Sequence, residues 1–444
     1  MKQENALKIC QTLKVNNYQA VYAGGCVRDL LLDIEPNDID IATNACPEII
    51  QSLFEHTLDI GKSFGVITVI IDNEQFEVAT FRSDGIYEDG RRPSSIVYTS
   101  LESDAKRRDI TINGMFYNPF TKQIIDVVNG QADLKNKTIR LIESPEERIL
   151  EDKLRILRCV RFSAKLDFVI EKTTFNAIKQ HAHMITQVSV ERIAEELTKI
   201  LRTKNKQKEI QLLFDTNLID YVLPEVKKLN GCLQSKQHHP EGDVYVHTLL
   251  ALSKLPENVP DGLLWGTLLH DIGKPQTQLI QDGKFSFNGH ESEGEKITEQ
   301  ILRRLKFSND SIKHICALVS NHMKFKFVHN MRLSRLKRFM NLDKFEEHMQ
   351  LHLADCLAST KNTENYYFLI EKLKTYTPEK REISKLPKLI TGNDLIEMGF
   401  LQGPIFRTIL EDIQEKQLEE TINSREQALS YVKLTYVISK FRKD

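Results

Sequence analysis

Two-residue alternation of apolar and polar side chains is confined to roughly the first 140 residues; from there on the spacing is helical. The two periods bury different faces, so the switch restricts the chain to a sheet-bearing front part followed by helical parts. Short β-type runs recur early: one ending in VYAGG, then DIDIAT, GVITVIID (65–72), QFEVATF (75–81), DITINGMFY and IIDVV. Helical stretches at Ala6–Lys14 and VRDLLLD lie among them. The expected class is therefore α+β, a mixed sheet with helices followed by all-α regions. A polar run, RSDGIYEDGRRPSS, interrupts the sheet pattern and reads as a mobile loop.

From Ser144 the sequence SPEERILED offers a serine N-cap, proline at the first helical position and Glu147 three residues on. Amphipathic helices are expected over 146–166, 172–184, 189–203 and 206–217. The stretch NGCLQSKQHHPEGD (230–243) marks a boundary, 244–357 holds most of the histidines, and a charged helical tail follows. Four units are expected: 1–140, 141–229, 230–360 and 361–444.

Composition narrows the class. The 444 residues carry 61 Lys+Arg against 62 Asp+Glu, a net charge of −1, with 41% hydrophobic and 28% charged residues. Such a balance describes an ordinary soluble protein and leaves local charged patches open. No apolar window approaches 18 residues, and MKQENALKIC has no leader-like hydrophobic region, so no membrane association is expected. Seven cysteines without a C-x-x-C pair exclude a zinc ribbon or a disulfide framework and suit a reducing cytoplasm.

Three constellations carry chemistry in the front part. In GGCVRD followed by DID, alternation on a strand projects Asp38 and Asp40 together while Ile39 and Ile41 enter the core. Adjacent carboxylates repel unless a cation sits between them, and phosphoryl-type transfer uses divalent metal in this way. The Gly24-Gly25 turn frees backbone N–H groups for a triphosphate, with Arg28 as a charged clamp and Asp29 beside it. Glu77, on a neighbouring strand, reads either as a third metal carboxylate or as a solvated strand glutamate. In KRRDITIN, Asp109 and Asn113 can meet ribose hydroxyls while Arg108 neutralises phosphate. In EDKLRILRCVRF, Asp152, Arg155, Arg158 and Arg161 form a stripe at three-residue steps on one helix. A carboxylate there accepts from the amino group of cytosine or adenine, and a guanidinium donates to the adjacent ring nitrogen. Uracil and guanine present a carbonyl instead, so such a pair selects C and A without a nucleic-acid template.

In that order, GGCVRD–NDIDIAT, KRRDITINGMFYNP and EDKLRILRCVRF resemble the class II tRNA nucleotidyltransferase and poly(A) polymerase superfamily. The resemblance implies a polymerase-β-like head followed by helical neck, body and tail. It implies Mg2+ at Asp38 and Asp40, and nucleotide contacts from Gly25, Arg28, Arg108, Asp109 and Asn113. It further implies templating of CTP and ATP by Asp152 and Arg155, with Arg158 and Arg161 on nucleotide or RNA phosphates. Ile110 and Gly114 stand where Phe and Ala are usual. The loop DGIYEDGRRPSS and the tail LITGNDLIEMGFLQGPIFRTIL resemble those of bacterial CCA-adding members. The expected function is thus addition of CCA to tRNA from CTP and ATP, the alternative being an A-adding enzyme or a poly(A) polymerase. The expected partner is the tRNA acceptor arm, with no obligate protein partner. Arg192, Lys199, Arg202, Lys204, Lys206 and Lys208 form a basic stretch expected to lie along it.

Further on, His247, His270-Asp271, His290, His322 and Asp355 form an ordered set. Imidazoles and carboxylates from separate helices converging on one point make a divalent metal site. LLHDIGK resembles HD-domain phosphohydrolases, which implies His247, His270, Asp271 and Asp355 as primary ligands and His290 and His322 for a second metal. A transition metal or Mg2+ and a phosphomonoesterase or cyclic phosphodiesterase activity are the corresponding expectations. His238, His239, His314, His329, His348 and His352 read as surface or core histidines.

Overall fold

The computed structural model describes residues 2–84, 96–376 and 387–436. Its front part is a seven-stranded sheet in the order β3-β4-β5-β2-β1-β8-β9. These strands are β1 (Ala20–Ala23), β2 (Asp40–Thr43), β3 (Thr57–Leu58), β4 (Val66–Ile71), β5 (Glu74–Thr80), β8 (Phe116–Asn118) and β9 (Gln123–Ile125). Between β5 and β8, β6 (Arg82–Asp84) and β7 (Ile96–Tyr98) pair antiparallel beside the sheet. The expected mobile loop lies, from Gly85 to Ser95, outside the described residues.

Strand chemistry decides the arrangement. β4 and β5 join through Asp72 and Asn73, both at positive φ, the geometry of a tight two-residue hairpin turn. β5 alternates strictly: Phe76, Val78 and Thr80 are buried, whereas Gln75 and Glu77 face outward. β2 runs parallel to β5 with Ile41 opposite Val78, and antiparallel to β1 with Ile41 opposite Tyr22. Ile39 and Ile41 enter the core as expected.

Three local expectations fail, each for a physical reason. β2 begins at Asp40, so Asp38 lies in the preceding loop instead of sharing the strand face. DITIN is not a strand. Ile110 makes a single bridge to Leu141, and Thr111–Asn113 is a 3-10 turn. Its buried polar side chains are satisfied by other side chains: Thr111 Oγ1 donates to Asp133 (2.7 Å) and Asn113 Oδ1 accepts from Arg28 (2.6 Å). The expected 146–166 helix is two helices, Pro145–Glu151 and Arg155–Leu166. Asp152, the C-cap of the first, is extended (φ −133°, ψ 103°), and its Oδ1 accepts from the Leu154 N–H at 3.1 Å, a local turn that competes with continuing the helix.

The remaining neck helices appear near their expected bounds, as Lys172–His181, Val190–Leu201 and Lys206–Asp215. The histidine-bearing part is built from Val244–Lys254, Asp261–Leu269, His290–Arg304, Asn309–Asn321 and Phe345–Ala358. One apolar core runs from Ile9 through Leu157 and Trp265 to Leu351, continuous past residues 140 and 230. Smaller cores form around Phe325, Phe339 and Leu369, and around Leu395, Ile409 and Val432 in the tail. Among the described residues no helix is long and apolar enough to cross a membrane.

Candidate active site and a buried histidine cluster

Between the sheet and the neck lies a cavity of about 780 Å3. Gly24, Gly25, Arg28, Asp40, Glu77, Arg108, Asp109, Asn113, Asp152, Arg155, Arg158 and Arg161 all line it, although they come from motifs far apart in the chain. Arg82, Arg107, Phe162, Lys165 and Arg192 line it as well, and the motifs did not single out these five for it. Asp38 and Asp29 are not among the lining residues.

The acidic end is set by strand register. Asp40 and Glu77 each stand one residue before the Ile41–Val78 pair of β2 and β5, and both face the cavity. Burial pushes the Asp40 carboxyl up to about 6; Glu77 and Asp38 push the same way while Arg108 opposes them. Asp38 is exposed and its carboxylate sits 3.0 Å from Lys2 Nζ. Gly24 is required by its backbone: its φ is +76°, a conformation that side-chain-bearing residues rarely adopt.

The middle is a lattice of committed arginines. Arg28 donates to Asn113 Oδ1 and, through Nε and Nη2, to Asp29 Oδ1 at 2.8 and 2.7 Å, so Asp29 serves Arg28 from outside the cavity. Buried Asp104, which no motif singled out, pairs with both Arg107 (2.7 Å) and Arg108 (3.0 Å) and accepts from the Arg82 N–H. It thereby ties the first residue of β6 to the RRD motif. Asp109 is bound by Arg158 through Nε (2.7 Å) and Nη2 (2.5 Å). Burial alone would raise the Asp109 carboxyl, but Arg158 and the Ile110 N–H outweigh it and hold it at about 2.

At the far end Asp152 Oδ2 accepts from Arg192 at 3.0 Å. Arg155 is buried, its Nη1 on Glu151 (2.6 Å) and the Arg148 carbonyl (2.8 Å), its Nη2 on the Arg107 carbonyl (2.9 Å). Arg161 donates to Glu196 at 2.7 Å and covers the Phe162 ring at 4.3 Å. Arg155, Arg158 and Arg161 do share one helix; Asp152 reaches the same wall from the break before it.

The basic neck stretch is neutralised by neighbours. Arg202 forks onto Asp261 (2.7 Å twice), Lys204 meets Glu257 (3.1 Å), Lys208 meets Asp167 (2.6 Å), Lys199 meets Glu195 (2.6 Å), and Lys206 is buried. These are mostly exposed pairs, so the stretch is charge-balanced in the free protein while its cations stay accessible to solvent. Lys324, Lys326, Arg332, Arg335 and Arg338, in contrast, are exposed, form no ion pair among the described residues, and flank exposed Phe327.

The histidine set converges as expected. His247 and His270 face each other with Nε2 atoms 3.3 Å apart, His290 and His322 at 3.2 Å. Backbone carbonyls accept from the Nδ1 atoms of His270 (2.8 Å), His290 (2.7 Å) and His322 (2.6 Å), and Glu241 takes that of His247 (2.8 Å). With Nδ1 engaged on a carbonyl or on Glu241, the Nε2 atoms are the ones turned toward the centre of the cluster, where they could ligate a cation. Asp355 lies 3.0 Å from His247 Nε2. Asp271 stands between the pairs, 3.2 Å from His270 and 3.5 Å from His290, with its buried Oδ2 2.7 Å from Lys274 Nζ. The donors of His247, His270 and Asp355, and those of Asp271, His290 and His322, each fall within 4.8 Å of one another. Burial drives His322 down to about 3. It would do the same to His247, but hydrogen bonds to Asp355 and Glu241 raise that ring to about 9. His238 and His329 are exposed; His314 (on Glu347 at 2.8 Å), His348 and His352 are buried in packing. His239 departs from expectation: its ring lies 4.8 Å from that of His247.

Comparison with known proteins agrees with this geometry. Residues 20–140 match the family model described as the poly A polymerase head domain, 167–229 the probable RNA and SrmB-binding site of polymerase A, and 291–432 the putative tRNA nucleotidyltransferase domain 2. The CCA-adding enzyme of Ligilactobacillus salivarius is 42% identical over 219 residues, 49% of this chain and 54% of that protein, so the matched stretch spans about half of this relative's length. The CCA-adding enzyme of Lactobacillus helveticus is 41% identical over 307 residues, 68% of this chain and 70% of that protein. The crystal structure of the Bacillus stearothermophilus CCA-adding enzyme in complex with CTP superposes with a TM-score of 0.74 at 25% identity, covering 97% of this chain and 96% of that one. The chain belongs to the family of the CCA-adding enzymes.

Proposed function

We propose that the head cavity adds C, C and A to the 3′ end of tRNA from CTP and ATP, with protein side chains in place of a template. The observation that carries this reading is one cavity with a carboxylate pair, Asp40 and Glu77, at one end and Asp152 with Arg155 at the other. Between them Arg28 and Arg108 offer positive charge to a triphosphate. The 3′ hydroxyl oxygen of the RNA attacks the α-phosphorus, and the bond to pyrophosphate breaks as the new phosphodiester forms.

Asp40, pushed up to about 6 by burial and next by Glu77, fits an oxygen-ligated divalent cation such as Mg2+. Exposed Asp38 completes the set by exchanging Lys2 for the ion. Such an ion neutralises the phosphates and acidifies the attacking hydroxyl. Asp152 accepts the amino group of cytosine or adenine on the carboxylate that Arg192 orients. Glu151 and the Arg107 carbonyl steady Arg155 against the ring nitrogen. Uracil or guanine would set a carbonyl oxygen against Asp152. The cations at Lys324, Lys326, Arg332, Arg335 and Arg338, without ion pairs among the described residues, support binding of the tRNA phosphates there in addition to the neck. Cysteines without a disulfide among the described residues support a cytoplasmic setting.

A second reading rests on the histidine cluster. Four converging Nε2 atoms with Asp271 and Asp355 suit two divalent ions, and imidazole-rich donors favour a transition metal over Mg2+. The activity that follows is hydrolysis of phosphomonoesters or 2′,3′-cyclic phosphates at RNA ends.

The test for the head uses purified protein, Mg2+, CTP and ATP with a tRNA transcript lacking its last three nucleotides and another ending in CC. Growth by three and then arrest supports CCA addition. Extension of the CC-ended transcript alone would make the protein an A-adding enzyme, and an unbounded ladder a poly(A) polymerase.

A further inference from the structure

Three of the four clustered imidazoles are oriented in the same local way. His270, His290 and His322 each donate Nδ1–H to the backbone carbonyl three residues earlier, of Thr267, Phe287 and Val319. These histidines sit at helix ends, where such carbonyls are accessible. His247 lies inside the Val244–Lys254 helix, where the backbone is engaged in the helix ladder, and needs an acceptor from elsewhere. Glu241 is that acceptor, with Oε1 2.8 Å from His247 Nδ1 and its side chain 6% exposed.

The same Oε1 lies 3.0 Å from His239 Nδ1 and 3.4 Å from Gln234 Nε2. Gln234 Oε1 in turn accepts from Lys274 Nζ at 3.0 Å, and that ammonium reaches Asp271 Oδ2 at 2.7 Å. A closed path, His247–Glu241–Gln234–Lys274–Asp271, therefore links a terminal histidine of the cluster to its central carboxylate. The loop that supplies Glu241 is itself pinned. Leu233 bridges Asp243, whose carboxylate accepts from the Gly231 N–H (2.8 Å) and the Val246 N–H (3.1 Å).

We infer that Glu241 is a positioning residue of the histidine cluster, fixing the tautomer and angle of His247, and that Gln234 passes the same constraint to Asp271. This rests on reading the cluster as a metal centre. His239, Glu241 and His247 also lie close enough to suggest an ion of their own. The Nδ1 proton of His247 goes to Glu241, however, while its Nε2 faces Asp355, so this group acts as an outer support, in the manner of carboxylate–histidine–metal triads.

The test is Co2+ binding to the full-length protein, followed by visible absorption and by metal content after gel filtration, with melting curves as the fold control. Glu241→Ala should weaken binding about 10- to 100-fold with an unchanged melting profile. Glu241→Gln, which keeps an acceptor, should recover most of the loss, and Gln234→Ala should weaken binding less than Glu241→Ala. Wild-type affinity and stoichiometry in Glu241→Ala would overturn the inference alone. A wild-type protein that binds no Co2+ would overturn the metal-centre reading and this inference with it.

Discussion

The head cavity and the histidine cluster both gather charged side chains, yet they balance them in opposite ways. In the head each buried acid of the central lattice has an arginine: Asp104 has Arg107 and Arg108, Asp109 has Arg158, and Glu196 has Arg161. Only the Asp40–Glu77 end lacks such a partner within ion-pair distance among the described residues, and there the carboxyl rises. In the cluster, two aspartates and four imidazoles meet with a single ammonium, Lys274. Paired charges thus build a rigid open cavity, whereas the groups without such partners leave repulsion that a bound cation would relieve.

The comparison breaks most visibly if the two sites depend on each other. Asp40→Ala should cut nucleotide incorporation about a thousandfold while leaving Co2+ binding at the cluster unchanged; parallel loss of both would contradict two separate centres. His270→Ala should do the reverse, losing at least about 100-fold in cluster metal affinity with CCA addition intact in the same preparation. Asp152→Ala should lower the preference for CTP over UTP about 10- to 100-fold, the worth of one charged hydrogen bond; unchanged ratios would refute its base-reading role.

Glu209 sharpens the comparison from between the sites, on a helix packed against both the Arg155–Leu166 and the Val244–Lys254 helices. Burial pushes its carboxyl up to about 9, and Thr203, Arg161 and Lys206 offset that only in part. The folded state therefore keeps a proton that the unfolded chain releases above about 4.5. Stability from this group is full below that pH and is lost as pH rises toward 9. Glu209→Gln should remove the slope and stabilise the protein at pH 8 by on the order of 2 kcal/mol, read by denaturant unfolding at pH 5 and pH 8. The smallest effect belongs to the surface. Arg332→Glu with Arg335→Glu should raise the KM for tRNA several-fold and flatten its salt dependence by about one unit of log–log slope for each phosphate no longer engaged. Lys204→Glu, on the charge-balanced neck, should change both by less.

Much of this was legible in the sequence because it depends on periodicity or on motif order. The strands and the neck helices stand where spacing put them, and all six residues of the histidine set come together, DITIN and the 146–166 helix being the exceptions among the elements. What escaped is what periodicity does not encode. The Asp152 break goes with a side chain accepting from the nearby Leu154 N–H, which a continuous three-residue stripe conceals. Thr111 and Asn113 alternate like strand residues, but their partners, Asp133 and Arg28, are visible only in three dimensions. The partner of Arg202 in the neck was not legible because its acid, Asp261, is 59 residues away. Glu241 sat in a stretch that composition marked as a boundary, and only its burial beside His247 reveals its use.

The most direct measurement of the central claim is equilibrium binding of CTP, ATP, UTP and GTP to the protein with Mg2+ and no RNA present. If side chains read the base, CTP and ATP bind, and UTP and GTP bind at least about 10-fold more weakly, a gap of about 1.4 kcal/mol, which Asp152→Ala closes. Equal affinity for all four nucleotides in the wild type would contradict base selection by this cavity.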